Sequence, residues 1–131
     1  MNIQGIAAET LEFILNVSES SYPYEFAGLL QARDGIISEV LILPGTESTD
    51  RSAVMKLFMM PNVKSAGSVH SHPSSNINPS KADLNMFART GSHHIIVGYP
   101  YDENSWECYD SRGKIIELEV LDVELEDEEL L

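Results

Sequence analysis

The spacing of apolar residues predicts helices at two places in this 131-residue chain. In residues 3–19, apolar side chains recur at three- and four-residue intervals with acids between them, which is the pattern of an amphipathic helix. The polar and proline-containing run at 20–24 is expected to end it. A second helix is predicted over residues 80–90, with Gly91 placed to stop it.

Shorter apolar runs predict six strands. Two of them are joined by Arg33, Asp34 and Gly35, and the Asp-Gly pair is typical of hairpin turns, so these two strands are expected to be antiparallel. The predicted strands cover residues 26–32, 36–43, 66–72, 95–99, 106–109 and 114–121. Residues 44–51 and 73–79 are expected to be loops, and 52–60 fits a strand or a helix. This order predicts an α/β fold with a mixed, mostly antiparallel sheet flanked by helices.

Length and a hydrophobic content of 43% predict a single domain over residues 1–131. No apolar stretch is long enough to span a membrane, and the N-terminus lacks the basic start of a secretion signal. The single cysteine, Cys108, allows no internal disulfide and suits a reducing compartment. We therefore expect a cytoplasmic protein.

The net charge of −13 argues against nucleic acid or an anionic membrane as a partner, because either would need a basic face. From Glu117 to the end the chain has eight acids and no base, which predicts an acidic strand and tail from about residue 115. This run is interpreted as a solubilising segment or as a docking surface for a basic partner.

Candidate chemistry is concentrated in the segment SerValHisSerHisPro, residues 68–73. Residues two apart on a strand point to one face, so His70 and His72 would present both imidazoles to one point. Asp83, in the first turn of the following helix, could supply a third ligand. Two histidines and one carboxylate leave a tetrahedral zinc one position for water, which is the arrangement of a catalytic site.

Hydrolysis also needs a base that takes a proton from the water and delivers it to the leaving amine. Glu25, at the start of the first hairpin strand, is the best-placed carboxylate for that role. Ser80 could donate a hydrogen bond to the oxyanion. Both assignments have rivals. The segment Ser80–Asp83 also has the form of a capping box, which would engage the Asp83 carboxylate with the backbone of Ser80. Glu25 could equally be a solvated acid.

Two further groups of residues are interpreted as structural. His93 and His94 are adjacent, so a strand would send them to opposite faces. Trp106 and the five tyrosines are interpreted as core or rim aromatics.

These residues resemble the JAMM or MPN+ metallopeptidases, whose pattern is a distant Glu, then His-x-His-Pro, a loop and Ser-x-x-Asp. The matching residues are Glu25, the HisSerHisPro segment 70–73 and the SerLysAlaAsp segment 80–83. The resemblance implies a cytidine deaminase-like fold and one zinc ion per chain, bound by His70, His72 and Asp83. It further implies Glu25 as the acid and base, and Ser80 at the oxyanion.

The resemblance also implies hydrolysis of an amide or isopeptide bond after the C-terminal Gly-Gly of a ubiquitin-like protein. The short chain is similar to prokaryotic members, which act on small ubiquitin-like modifiers or sulfur-carrier proteins. Two alternatives stay open: a non-catalytic scaffold that binds partner proteins, and a zinc hydrolase of small amides or dipeptides. A homodimer through the first helix or an edge strand is likewise left open.

Overall fold

The computed structural model describes residues 2–42 and 65–125. The elements within these ranges are the strands β1 (Gly5–Ala7), β2 (Ala27–Arg33), β3 (Ile36–Ile42), β4 (Gly67–Ser71), β5 (His93–Val97), β6 (Trp106–Tyr109) and β7 (Glu119–Leu121), and the helices α1 (Ala8–Ser21) and α2 (Lys81–Phe87). The predictions for residues 44–51 and 52–60 lie outside the described residues. Neither helix in the described part of the chain is long and apolar enough to cross a membrane.

The N-terminal segment corrects the prediction of one helix over residues 3–19. Gly5–Ala7 forms a strand, and α1 begins only at Ala8. β1 runs parallel to both β3 and β7, with Ile6 opposite Ile37 of β3. All three residues of β1 are buried because the strand lies between two others. A strand this short is defined by its distant partners, so local periodicity did not detect it.

The predicted hairpin is confirmed. β2 and β3 are antiparallel, and the two residues between them have φ angles of 54° at Asp34 and 81° at Gly35. A two-residue hairpin turn of this kind needs positive φ at both positions. Gly35 adopts that conformation without the steric cost of a side chain.

The sheet has the order β6-β5-β4-β2-β3-β1-β7 and is mixed, as predicted. β2 pairs antiparallel with β3 and β4, and β5 with β6; the other ladders are parallel. The segment 114–121 is not the continuous strand that its pattern predicts. It makes an isolated bridge from Ile115 to Tyr109 before the short strand β7.

The sheet separates two hydrophobic cores. On one face, α1 packs through Ile14 against a core that includes Val69 of β4. On the other face, Phe87 of α2 packs with Ile96 of β5. Because side chains alternate along a strand, Val69 points to the α1 face and His70 to the α2 face. The histidine motif therefore lies on the side of the sheet that α2 covers.

Candidate metal centre

The register of β4 against β2 brings the predicted base next to the histidine motif. The antiparallel ladder pairs Ala27 with His70. Continued by two residues, the same register sets Glu25 across from His72, on the same face of the sheet as His70. A separation of 47 residues in the chain is thus bridged by strand pairing.

One residue pair fixes that continuation. The amide of Phe26 donates to Ser71 Oγ at 2.9 Å, and the amide of Ser71 donates to the Phe26 carbonyl at 2.9 Å. As a result, a carboxylate oxygen of Glu25 and one ring nitrogen each of His70 and His72 lie within 4.8 Å of one another. Glu25 is 6% exposed, so the interpretation of this residue as a solvated acid is wrong.

His72 presents Nε2 to the site because its other ring nitrogen is engaged. Nδ1 lies 2.7 Å from the carbonyl oxygen of Asn76. A carbonyl can only accept, so Nδ1 carries the hydrogen and the lone pair of the neutral ring is on Nε2. Burial opposes protonation, but hydrogen bonds to Asp83 and Asn76 raise the pKa of His72 to about 9. A metal ion would replace the added proton, because metal ligation uses the neutral ring.

Asp83 is placed by the capping box that the sequence set against its role as a ligand. The Ser80 amide donates to Asp83 Oδ2 at 2.8 Å, and the Asp83 amide donates to Ser80 Oγ at 3.1 Å. The other carboxylate oxygen, Oδ1, lies 3.0 Å from His70 Nε2. The two interpretations are therefore compatible, because the cap directs the carboxylate toward the histidines.

The donor atoms of the three residues converge at separations that suit one small cation. His70 Nε2 is 3.0 Å from His72 Nε2, and His72 Nε2 is 3.6 Å from Asp83 Oδ2. Ligand atoms about 2.0–2.1 Å from a tetrahedral zinc are about 3.3 Å apart, and the observed separations lie on either side of this value. The residues present therefore fit zinc.

The electrostatics of the site agree with this fit. Burial would raise the pKa of Asp83, but the adjacent imidazoles of His70 and His72 hold it well below the usual range. His70 and Asp83 have no exposed surface. Among the described residues, His70 Nδ1 has no hydrogen-bond partner, and Asp83 Oδ1 lies 3.0 Å from His70 Nε2. A buried anion beside two nitrogen donors is an environment that a bound cation stabilises.

The loop before α2 is fixed to the sheet at several points. Tyr109 donates its hydroxyl to the Ile77 carbonyl at 2.6 Å, and the Tyr99 amide donates to the Ser74 carbonyl at 2.9 Å. A Cβ at Gly98 would lie 2.6 Å from the Ile77 side chain, so only glycine lets the loop approach this closely. These contacts hold Asp83 over the end of β4. No pattern in the sequence marked the residues that make them.

His93, His94 and Cys108 lie apart from this cluster. His94 is buried on the α2 face and stacks on Phe87, with ring centroids 4.3 Å apart. His93 is half-buried, and its Nδ1 lies 2.7 Å from Ser92 Oγ. Cys108 is buried in the α1-side core, and burial raises the pKa of its thiol to about 12. Among the described residues, none of these three adds a donor to the candidate metal centre.

Residues 7–109 match the model of a family described as prokaryotic homologs of the JAB domain. The chain belongs to this family. A curated relative from Haloferax volcanii, named a probable metalloprotease, is 41% identical over 138 residues, which cover 97% of this chain and 85% of the relative.

Two solved structures support the same assignment. One, described as "JAMM: a metalloprotease-like zinc site in the proteasome and signalosome", is 39% identical with a TM-score of 0.75, and the match covers 92% of this chain and 100% of that one. The other, a JAB1/MPN domain protein from Archaeoglobus fulgidus, is 40% identical with a TM-score of 0.75, over 90% of this chain and 99% of that one. The predicted JAMM or MPN+ family and the mixed α/β fold class, with its cytidine deaminase-like label, agree with these findings.

Proposed function

We propose that this JAB-family chain is a zinc-dependent peptidase that cleaves the amide or isopeptide bond after the C-terminal Gly-Gly of a ubiquitin-like or sulfur-carrier protein. His70, His72 and Asp83 hold one zinc ion, and Glu25 and Ser80 serve the chemistry. The observation that carries the proposal is the convergence of the three donor groups at 3.0–3.6 Å, with the Glu25 carboxylate beside them. The probable metalloprotease from Haloferax volcanii supports the peptidase class.

The protein's own residues account for the proton transfers. When bound, zinc lowers the pKa of a water molecule and polarises the scissile carbonyl. Glu25 takes a proton from the attacking water and then delivers it to the leaving amine, so the carboxylate is regenerated. Ser80 Oγ already accepts the Asp83 amide through a lone pair, and its hydroxyl hydrogen remains to be donated to the developing oxyanion.

Burial of the centre supports a narrow substrate tail. His70 and Asp83 are fully buried, and Glu25 and His72 are 6% and 9% exposed. A polypeptide that reaches these groups must pass through little space, and residues without a Cβ fit such a passage best. The Gly-Gly end of a small modifier has this shape, and its extended backbone can pair with a strand edge.

The test uses zinc-loaded protein and a ubiquitin-like protein whose Gly-Gly tail is joined by an amide bond to a fluorescent amine. We expect cleavage after the second glycine, and we expect Glu25→Gln to lower turnover by about 10²–10⁴-fold while keeping one zinc per chain. Mass spectrometry locates the cut, and metal analysis of both proteins shows that zinc content is matched.

Substrate variants separate the alternatives. Replacing either tail glycine by alanine should greatly reduce cleavage by the wild-type chain. Cleavage of free dipeptides without cleavage of the tail would favour the small-amide hydrolase instead. A chain that keeps its zinc and cleaves neither substrate would favour a scaffold, and undiminished turnover in Glu25→Gln would remove this residue from the mechanism.

A further inference from the structure

His72 lies one residue beyond the last residue of β4, so the regular ladder does not fix both sides of its peptide. Three hydrogen bonds, two to its backbone and one to its ring, hold His72 in place. Its amide donates to the Val97 carbonyl at 2.7 Å, and Nδ1 is bonded to the Asn76 carbonyl. The third bond is made by Tyr101, whose hydroxyl donates to the His72 carbonyl at 3.0 Å. Of these three partners, Tyr101 is the one that acts through its side chain.

The conformation of Tyr101 points to a specific requirement at this position. Its φ angle is 65°, in the left-handed region that residues with a bulky side chain rarely adopt. Such a conformation is unfavourable and persists only when the surrounding structure imposes it. Tyr101 is nevertheless 6% exposed and packed in the α1-side core. This strained backbone directs the ring toward the peptide of His72.

Two neighbouring rings pack against Tyr101, whose hydrogen bond to His72 is buried. Tyr22 packs against Tyr101 with ring centroids 6.1 Å apart, and Tyr99 does so at 6.0 Å. Tyr22 and Tyr99 also contact each other at 5.5 Å. Both outer rings are about half exposed, at 49% and 51%, whereas Tyr101 beneath them is buried. A hydrogen bond shielded in this way is stronger than one open to water.

We propose that Tyr101 is a positioning residue that fixes the peptide of His72 and thereby aims His72 Nε2 at the metal. The inference rests on the proposed function, because it takes His72 as a zinc ligand. In this proposal His72 is held at two places. The Asn76 carbonyl orients its ring, and the Tyr101 hydroxyl holds its backbone. Residues that orient metal ligands through hydrogen bonds contribute about 10–100-fold to metal affinity.

The deciding variant is Tyr101→Phe, which removes the hydroxyl and keeps the ring. Its matched control is Tyr99→Phe, which removes a hydroxyl from the same cluster of rings. Zinc affinity is measured by competition with a chromophoric chelator, and the ligand geometry is followed by the visible spectrum of the Co²⁺-loaded protein. We expect Tyr101→Phe to bind zinc about 10–100-fold more weakly and to change the Co²⁺ spectrum, with both readings unchanged in Tyr99→Phe.

Thermal unfolding separates positioning from general stability. If Tyr101 aims His72, the increase in Tm produced by zinc should be smaller in Tyr101→Phe than in the wild type, because the variant gains less from binding. An equal loss of Tm with and without zinc, together with wild-type zinc affinity and an unchanged spectrum, would overturn the inference. Failure of the wild type itself to bind zinc would instead refute the proposed function, so the two failures are distinguishable.

Discussion

Two fully buried histidines on the same face of the sheet have opposite surroundings. His94 has both ring nitrogens in hydrogen bonds, with Nδ1 2.8 Å from Ser68 Oγ and Nε2 2.9 Å from the Gly91 carbonyl. His70, in the adjacent strand, has Nε2 facing a second imidazole and the Asp83 carboxylate. Its Nδ1 has no partner among the described residues. Both ring nitrogens of His94 are satisfied by hydrogen bonds within the protein. His70 Nε2 instead faces a group of donor atoms that could bind a cation.

The tautomer and the pKa of His94 also differ from those of His72, the second histidine of the cluster. At His94 the Gly91 carbonyl requires a hydrogen on Nε2, so the lone pair on Nδ1 is used by the Ser68 hydroxyl. At His72 the hydrogen is on Nδ1, and the lone pair on Nε2 faces the other donors. Burial lowers the pKa of His94 to about 4, whereas the pKa of His72 is raised. Burial and residue type do not distinguish a candidate ligand from a core histidine, but the contact made by the ring nitrogen with the lone pair does: a hydroxyl at His94, other donor groups at His72.

The largest effect is expected from Asp83→Asn, which keeps an oxygen for the Ser80 amide and removes the charge. We expect zinc affinity to fall by more than the roughly 10–100-fold that supporting residues contribute, and turnover to be lost with the metal. Zinc content after dialysis against a weak chelator measures this. Asp83→Ala, which also removes the acceptor of the Ser80 amide, should lose zinc and in addition lower the free energy of unfolding by about 1 kcal/mol. If both variants retain one zinc per chain, Asp83 is not a zinc ligand and serves only in the capping box.

A smaller effect is expected from Ser80→Ala. Loss of an oxyanion donor lowers kcat by about 10²–10³-fold, and loss of an N-cap costs about 1 kcal/mol of stability. Ser80→Thr is the matched control, because threonine keeps the hydroxyl for both purposes. Steady-state kinetics on the Gly-Gly substrate, beside thermal unfolding, separate the two roles. A fall in Tm with unchanged kcat would limit Ser80 to the helix start.

The smallest expected effect concerns His94 and the dependence of stability on pH. The folded-state pKa of His94, about 4, lies below the ordinary value of 6.5, so the unfolded chain binds more protons between these values. The contribution of His94 to the free energy of unfolding should therefore be fully present above pH 6.5 and fall by up to about 3 kcal/mol as the pH drops to 4. Urea unfolding of the metal-free protein at several pH values measures the slope, which should be shallower in His94→Gln.

The same variant checks the comparison directly. His94→Gln should keep one zinc per chain, since among the described residues His94 adds no donor to the cluster. Loss of zinc from this variant, with the fold intact, would show that the distinction between the two buried histidines is wrong. An unchanged pH slope would show that His94 does not govern acid stability.

Sequence reasoning located the elements with strong local signals. The Asp34 and Gly35 turn, the strand that carries His70 and the helix that carries Asp83 all follow from patterns within a few residues. β1 was missed because its three residues acquire strand geometry only from pairing with β3 and β7. For the same reason, the apolar run at 114–121 gave no sign that pairing would break within it.

The candidate site shows a similar limit. The candidate ligands could be proposed from the sequence because His-x-His and Ser-x-x-Asp are short motifs with fixed geometry, and the structure brings these residues together. Whether the cap and the ligand role of Asp83 compete could not be predicted, since the answer depends on where each carboxylate oxygen points. The contact of Tyr101 with His72 depends on a backbone angle that no residue pattern announces.

Because Ala27 pairs with His70, insertions and deletions near the centre should be tolerated less well in evolution than substitutions of side chains. Insertion of one residue between Glu25 and Ala27 would turn the carboxylate to the opposite face of the sheet. Insertion of one residue between His70 and His72 would separate the two imidazoles in the same way. We therefore expect diverging descendants of this chain to accept substitutions around the centre while tolerating no insertion or deletion in either of these two short spans.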